Sequence, residues 1–390
     1  MGGAKQRWLE LESRGMNEPK DTNVCSSHIN DYAIKRFISR KGVKGECSYC
    51  GKERNVVELE ELMFFVMEGI SQFYQDAANF MGYNTREGGY LGETYDGQEL
   101  LYDVIGLEVD NDELFQDMAD SIDDSAWASP DDYYGSVSDL LSSHWRYFKE
   151  VIKYKLRYFF TQVSTYRTLD HDNRNAFEIL DDIGTAVKKI KVQTTLPADT
   201  CLFRCRQHAR TERITEASKI ASPPDSFAIY SNRMSPAGIS MFYCAFDLPT
   251  AKVETIDVKS KKKYITSACF TNLSPLNLID FTKLPRVPSI FDQKNIKHYY
   301  TIQFLIDFVK DLSSDIARDG REHIEYVPTQ IVTEFFKYLY PIGSKNKIDG
   351  IIYPSSKSKG SKACVLFMNN DESLKQLKFD KTSLIRQRIR

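Results

Sequence analysis

Arg204 and Arg206 stand two residues apart in the otherwise apolar segment LFRCR. In a β-strand both side chains would point to the same face, because alternate residues share a face. A guanidinium among apolar side chains is costly unless an anion meets it, and a pyrophosphate accepts the bidentate hydrogen bonds that arginine donates. The alternative is a rim strand whose arginines pair with nearby carboxylates.

A second group of polar residues follows along the chain. Arg233 precedes the turn at residues 234–238, Tyr243 lies in SMFYCAF, and Glu254 lies in LPTAKVETI. A hairpin followed by a helix needs neither an arginine at its turn nor a glutamate on its helix. Ser355 follows the apolar segment IDGIIYP; taken alone, a serine in a Ser- and Lys-rich stretch is typical of an exposed loop.

Cys25 and His28 are separated by two residues, as are Cys47 and Cys50 in the segment GECSYCGK. Two such pairs suit tetrahedral zinc, because each tight turn presents two ligands to one ion. Four protein ligands leave no open position for catalysis, so the predicted zinc is structural. The alternatives are that only the second pair is real, or that all four residues are free. The eight cysteines are expected to be thiols or metal ligands rather than disulfides.

The composition of the sequence and the spacing of its apolar residues change twice along the chain. Residues 1–55 are polar and cysteine-bearing, residues 56–190 carry apolar residues at helical spacing, and residues 195–390 mix strand and helix patterns. The predicted fold class is therefore α+β, with a mostly helical domain between a small zinc knuckle and a C-terminal mixed domain.

The elements that must position the candidate residues follow from periodicity. The predicted N-terminal helices cover residues 56–81, 140–163 and 175–192. The predicted strands cover residues 200–209, 227–233, 240–247, 263–270, 348–354 and 363–368. The helices predicted between these strands cover residues 248–256, 298–314 and 327–340.

Composition excludes several classes of protein. The chain has 390 residues, of which 42% are hydrophobic and 27% charged, as in ordinary globular proteins. A net charge of −2 provides no basic field, so nucleic acid is not expected as a partner. No apolar run reaches the roughly 18 residues of a membrane span, and the N-terminus lacks an apolar signal core. We therefore expect a cytoplasmic protein without membrane contact.

The order of these motifs resembles the RES domain family, which is named for its Arg, Glu and Ser. The resemblance covers residues 200 to about 370 and is strongest at NRMSPAG-x4-Y, AKVET and DGIIYPSS. Met234 stands where members usually have tryptophan, a departure that leaves Arg233 untouched. The N-terminal part is similar to the HEPN-related helical domain, led by a zinc knuckle, that precedes RES in longer chains.

The resemblance implies an ADP-ribosyltransferase-like fold and NAD+ as substrate. Members degrade NAD+ by phosphorolysis or hydrolysis, so inorganic phosphate is a candidate co-substrate, and many are toxins of toxin–antitoxin pairs. We therefore expect this chain to act as a bacterial toxin or phage-defence effector. The residues implied in catalysis are Glu254, Arg204 and Ser355. The residues implied in substrate binding are Arg206, Arg233 and Tyr243. Arg204 is preferred to Arg206 as the family's first arginine, because Leu-Phe-Arg resembles the family's aromatic-Arg opening.

Cleavage of the nicotinamide–ribose bond builds positive charge on the ribose, which a carboxylate such as Glu254 can stabilise. The arginines would hold the pyrophosphate, Tyr243 would stack or donate its hydroxyl, and Ser355 would hydrogen-bond a phosphate or a ribose hydroxyl. A serine nucleophile is not favoured, because no His or Asp is placed in the sequence to activate Ser355.

Other functions remain open at this stage. One is transfer of ADP-ribose to a macromolecule, although Lys252 stands where such transferases carry an acid or Gln. Another is an inactive module that binds nucleic acid or protein. HEPN-type ribonuclease activity is doubtful, because Arg167 and His171 are closer together than that motif requires. An antitoxin or other regulatory protein and a second copy of the chain are candidate partners.

Overall fold

A computed structural model describes residues 2–158, 178–314, 320–341 and 347–389. The chain forms two compact units: unit 1 is Met1–Leu140 with Val287–Tyr300, and unit 2 is Leu141–Arg286 with Thr301–Arg390. The boundaries of these units differ from the predicted domain boundaries near residues 55 and 190. The division into domains 1–55, 56–190 and 195–390 stays a prediction. The candidate HEPN residues Arg167 and His171 lie outside the described residues.

Unit 1 combines short helices with small sheets. Its helices are α1 (Gly2–Ser13), α2 (Tyr32–Lys41), α3 (Leu59–Ile70), α4 (Gly97–Glu99), α5 (Asp112–Asp120) and α6 (Pro130–Tyr134). Its strands are β1 (Asn23–Cys25), β2 (Val43–Glu46), β3 (Glu53–Glu58), β4 (Gln75–Asp76), β5 (Tyr83–Asn84), β6 (Gly89–Tyr90) and β7 (Trp127–Ala128). The first three strands form one antiparallel sheet in the order β1-β3-β2.

Helix α3 is the centre of unit 1. It buries Leu62, Met63 and Val66, and α2 packs beside it through Ile34 and Ile38. The segment Val287–Tyr300 joins this unit because Phe291 is buried in the same core. A methyl group at Gly69 of α3 would stand 2.7 Å from the Phe291 ring, so this glycine permits the close approach.

Unit 2 is a large sheet covered by helices. Its helices are α7 (Val137–Glu150), which starts at the end of unit 1, α8 (Glu178–Ile190), α9 (Leu248–Thr255), α10 (Tyr299–Ser313), α11 (Glu322–Glu325), α12 (Val327–Glu334) and α13 (Asn370–Gln376). Its strands are β8 (Gln193–Leu196), β9 (Cys201–His208), β10 (Phe242–Ala245), β11 (Tyr264–Asn272), β12 (Leu276–Asp280), β13 (Gly350–Pro354), β14 (Lys362–Leu366) and β15 (Leu377–Arg388). Single π-helical turns follow α7 at Val151–Lys155 and α12 at Phe335–Leu339.

The eight strands of unit 2 form one sheet in the order β15-β11-β9-β10-β14-β13-β12-β8. Neighbours are antiparallel except β12 and β13, which are parallel. Successive residues of the central strands pack on opposite sides of the sheet, as the two-residue period of a strand requires. Ile351 and Val365 face the helical core that contains Phe148 and Phe308, whereas Ile352 faces a second core on the other side.

The fold class is confirmed as mixed α and β, with an N-terminal region rich in helices and a C-terminal sheet domain. The predicted strands appear as β9, β10, β11, β13 and β14, and the helices predicted between them as α9, α10 and α12. Within residues 56–81, however, only α3 is a helix of several turns, because residues 56–58 extend β3 and the helix ends at Ile70. The predicted strand at 227–233 is wrong: its backbone makes turns rather than a ladder.

Two further observations concern the predictions from composition. Cys201 of β9 and Cys269 of β11 form a disulfide with Cα atoms 5.9 Å apart, so the expectation that all eight cysteines are thiols or metal ligands is wrong for this pair. They meet because β9 and β11 are adjacent antiparallel strands.

Across the described part of the chain, no helix combines the length and the apolar character needed to cross a lipid bilayer.

Candidate functional site

A cavity of about 320 Å³ opens in unit 2 between β9, β10, α9 and the loop that connects β9 to β10. This volume is at the lower end of the range for small-molecule sites, about 300–1,000 Å³. Its polar lining residues include Arg204, Tyr243 and Glu254, three residues predicted from the sequence. Its apolar lining residues include Phe203, Phe227, Ile229, Tyr230, Ile239, Met241, Ala251 and Ala363.

Glu254 lies in the last turn of α9, a short helix that the sequence starts by local capping. The Asp247 carboxylate accepts a hydrogen bond from the Thr250 backbone N–H at 2.7 Å, and a proline occupies the first turn. Glu254 is half-buried, and its carboxylate accepts a hydrogen bond from the Ser355 hydroxyl. Ser355 itself is buried and held by its backbone N–H, which donates to the Ser361 carbonyl at 2.9 Å. The pair joins α9 to the loop after β13.

Lys357 is a residue of this site that the sequence analysis missed. Its ammonium donates to the carbonyls of Val253 at 3.1 Å, Glu254 at 3.3 Å and Ile256 at 3.4 Å. The last carbonyls of a helix have no hydrogen-bond partner within the helix, and a cation at this end is also attracted by the negative end of the helix dipole. Lys357 therefore fixes the backbone that carries Glu254. A lysine two residues after Ser355 was the signal, but Ser- and Lys-rich loops are commonly only exposed.

Arg204 reaches the cavity from the centre of β9. Its Nε donates to the Ile220 carbonyl and one terminal nitrogen donates to the Tyr243 carbonyl, both at 2.6 Å. The guanidinium also lies 4.9 Å from the centre of the Phe242 ring. Burial lowers the pKa of Arg204 to about 10, so the side chain keeps its charge at neutral pH. Two donors are used by the fold, and the remaining ones are available to an anion in the cavity.

Tyr243 connects the cavity to the turn that follows Arg233. Its hydroxyl accepts a hydrogen bond from the Met234 backbone N–H at 3.3 Å and lies 3.0 Å from the Ser235 hydroxyl. Burial raises the pKa of Tyr243 to about 12, so the phenol stays neutral. The hydroxyl thus fixes the turn, and Tyr243 also lines the cavity.

Arg206 and Arg233 are absent from the described residues that line the cavity. Arg206 forms an ion pair with Glu212 at 2.7 Å and donates to the Lys219 carbonyl at 2.5 Å. This is the rim-strand arrangement that was the alternative for the arginine pair. Arg233 donates to the Leu312 carbonyl at 2.7 Å, in the last turn of α10, where a cation is favourable. Both arginines therefore have partners within the fold.

The loop from β9 to β10 supplies a second set of residues that the sequence analysis did not recognise as part of a site. Phe227, Ile229 and Tyr230 line the cavity with 74%, 65% and 74% of their surface exposed. The signal in the sequence was the segment FAIY, which alternation alone interprets as a strand. Its apolar side chains are at the rim of the cavity instead of inside a sheet.

A cysteine nucleophile is not supported by the geometry. Cys205 lines the cavity, but burial raises the pKa of its thiol to about 12. A thiol rather than a thiolate is then present at neutral pH, and the thiol is a poor nucleophile. Among the described residues that line the cavity, the carboxylate that can face developing positive charge is that of Glu254.

A second candidate site lies in unit 1, where Cys25, His28, Cys47 and Cys50 come together. Their ligand atoms all lie within 4.8 Å of one another, and the Cys25 and Cys50 sulfurs are 3.9 Å apart. Three of the four residues are buried. Cys25 ends β1, His28 lies in the following helical turn, and the other two residues occupy the turn between β2 and β3. The sheet thus brings the two predicted pairs to one point.

The group fits a metal ion by an independent observation. The Nδ1 atom of His28 lies 2.9 Å from the Asp110 carboxylate, while its buried Nε2 has no hydrogen-bond partner. Metal-bound histidines use one ring nitrogen as the ligand and give the other to a carboxylate in this way. Three cysteines and one histidine are a donor set typical of structural zinc.

Two stretches of the chain match known family models. Residues 40–166 match HEPN/RES N-terminal domain 1, and residues 202–384 match the RES domain. The second stretch contains every described residue that lines the cavity, as well as Ser355 and Lys357. The first contains Cys47 and Cys50 but starts after Cys25 and His28. None of the curated proteins matches the chain.

Proposed function

The chain belongs to the RES domain family, and we propose that it consumes NAD+ by cleaving the bond between nicotinamide and ribose. Family membership supports an NAD+-related, toxin-like function at the level of the family. The observation that carries the proposal for this chain is the meeting of Glu254, Arg204 and Tyr243 in one cavity. Arg204 comes from β9, Tyr243 from β10 and Glu254 from α9.

In the proposed reaction the C–N bond breaks and its electron pair moves to the nicotinamide ring, which becomes neutral. The ribose carbon then carries positive charge shared with the ring oxygen. The Glu254 carboxylate stabilises this charge, and Ser355, which donates to that carboxylate, keeps it oriented. An oxygen of phosphate or water forms the new bond to the ribose carbon; with water, one proton is released. Both NAD+ phosphorylase and NAD+ glycohydrolase remain within the proposal.

We assign the pyrophosphate of NAD+ to Arg204, which lines the cavity and keeps its charge at neutral pH. Arg206 and Arg233 have partners in the fold, so we assign them to support of β9 and of the turn. Transfer to a macromolecule is not favoured. Lys252, at the position that transferases give to an acid or Gln, donates to Gln387 at 2.8 Å.

For the biological role we propose a bacterial toxin or phage-defence effector, with an antitoxin or other regulatory protein, or a second copy of the chain, as the partner. For unit 1 we propose one structural zinc ion held by Cys25, His28, Cys47 and Cys50. The zinc would stabilise the small sheet and take no part in the reaction.

The decisive experiment incubates the full chain with NAD+ and follows free nicotinamide. Release by the unchanged protein and its loss in Glu254→Gln, a substitution that keeps the size of the side chain, support the proposal. Equal release by both proteins contradicts it. A rate that increases with phosphate, together with formation of a phosphorylated ADP-ribose, identifies phosphorolysis. A phosphate-independent rate that yields ADP-ribose identifies hydrolysis.

A further inference from the structure

Three exposed apolar side chains are clustered at the rim of the cavity. Phe227 and Tyr230 are each 74% exposed, and Ile229 is 65% exposed. Single exposed apolar residues are common on protein surfaces, but a cluster that also lines a cavity indicates a surface for a ligand. All three line the same cavity as Arg204 and Glu254.

The loop that carries them is held by hydrogen bonds to backbone carbonyls. The Gly238 N–H donates to the Ala228 carbonyl at 2.7 Å, with Gly238 at a φ of +88° that favours glycine. The Ser240 hydroxyl donates to the Pro223 carbonyl at 2.6 Å, and the Ser222 hydroxyl to the Met368 carbonyl at 2.9 Å. These bonds position the rim side chains, although the side chains themselves are exposed to solvent.

The lining residues differ in solvent exposure, so the cavity has a buried end and an exposed end. Tyr353 is only 7% exposed and Glu254 is half-buried, whereas the residues of the rim are mostly exposed. The nicotinamide whose bond breaks has to lie beside Glu254, and the pyrophosphate beside Arg204. Because the two heterocycles are at opposite ends of NAD+, the adenine must then extend from the pyrophosphate toward the rim.

We propose that Phe227, Ile229 and Tyr230 form a subsite that binds the adenine ring of NAD+ by stacking and apolar contact, and that this subsite makes the enzyme prefer a dinucleotide to a mononucleotide. The inference rests on the proposed NAD+ cleavage. Stacking suits the side chains, because a purine has a flat face that an aromatic ring can cover. Among the described lining residues, Arg204 and Glu254 are assigned to the pyrophosphate and the ribose, so the apolar residues of the rim are the ones that remain for the adenine.

The test compares NAD+ with nicotinamide mononucleotide, which keeps the bond that breaks but lacks adenine. Nicotinamide release is measured for the full chain and for the double variant Phe227→Ala/Tyr230→Ala. We expect the ratio of kcat/KM for NAD+ to kcat/KM for the mononucleotide to fall roughly tenfold, which corresponds to about 1.4 kcal/mol of stacking. The double variant Phe227→Trp/Tyr230→Phe, which keeps both rings, should keep that ratio.

Tyr338→Ala is the matched control, since Tyr338 is also 65% exposed in unit 2 but is not among the described lining residues. An equal effect of the alanine variant on both substrates, or no effect, overturns the inference. If the unchanged protein releases nicotinamide from neither substrate, the proposed reaction fails, and calorimetric titration with ADP-ribose decides the subsite. A Kd about tenfold weaker in the alanine variant supports it, whereas equal Kd values or no binding overturn it.

Discussion

Removal of the Ser355 hydroxyl separates two roles for this residue. In the structure Ser355 is buried, and its Oγ donates to the Glu254 carboxylate while it accepts from the Ser358 backbone N–H at 3.0 Å. The hydroxyl therefore orients the carboxylate. Because we propose that the Glu254 carboxylate stabilises the ribose cation, we do not assign it as the base of a serine nucleophile. We predict that Ser355→Ala keeps measurable activity.

The magnitude follows from the bond that is lost. A hydrogen bond to a charged group contributes about 1.5–3 kcal/mol, and roughly 1.4 kcal/mol corresponds to tenfold in rate. Ser355→Ala should therefore lower kcat about tenfold to 150-fold. The KM for NAD+ should change much less, because Ser355 is not among the described residues that line the cavity.

The assay is nicotinamide release at saturating NAD+, with circular dichroism and thermal unfolding to verify the fold. Ser356→Ala is the matched control, because Ser356 is adjacent in sequence but exposed. A kcat within twofold of the unchanged enzyme would refute the orienting role of the hydrogen bond. A loss as complete as that in Glu254→Gln would show that the hydroxyl takes part in the reaction itself.

Three further changes test other parts of the structure. Lys357→Met should lower the free energy of unfolding by about 0.3–1 kcal/mol, the contribution of a cation at a helix C-terminus. The exposed Lys359→Met is its control, and equal free energies of unfolding in both variants would contradict the capping role. Arg204→Lys should lower kcat/KM at least tenfold and destabilise unit 2, because lysine cannot reproduce the two angled hydrogen bonds that the guanidinium donates. Arg206→Lys is its control, since Arg206 forms an exposed ion pair that contributes less than about 1 kcal/mol. An equal loss of kcat/KM in both variants would contradict the assignment of the pyrophosphate to Arg204. Elemental analysis should give about one zinc ion per chain. Cys47→Ser should lose the zinc ion and lower the midpoint temperature of unfolding of unit 1. Protein that is purified without chelator and contains no metal would count against the site.

Much of the candidate site follows from local sequence. The tight turns around Cys25 and His28 and around Cys47 and Cys50 determine the spacing within each pair, and this needs no knowledge of the rest of the fold. Helix α9 likewise follows from Asp247 as N-cap and the proline behind it. The strands β9, β10, β13 and β14 follow from runs of β-branched and aromatic residues. These features depend on neighbours in the chain, so they can be predicted without a structure.

The choice between Arg204 and Arg206 could not be made in that way. Alternation places both on one face of β9, yet Arg204 meets the Ile220 and Tyr243 carbonyls while Arg206 meets Glu212. These partners come from the following loop and from β10. Periodicity identifies the face of a strand, but it does not identify what packs against each position.

The interpretation of FAIY as a strand was wrong for a related reason. A strand requires a neighbouring strand that accepts its hydrogen bonds, and the Ala228 carbonyl instead accepts from Gly238 within the same loop. The segment Val287–Tyr300 joins unit 1 because Phe291 is buried there, a destination that the local pattern does not encode.

The sequence by itself thus determined which residue types are present, the local turns and most of the elements that carry them. Only the tertiary structure decided that Ser355 donates to Glu254, 101 residues away, and that Lys357 caps the C-terminal end of α9, the helix that carries Glu254. The physical reason is that hydrogen bonds and burial depend on distances between atoms. Elements far apart in the chain acquire those distances only when they pack around a common core.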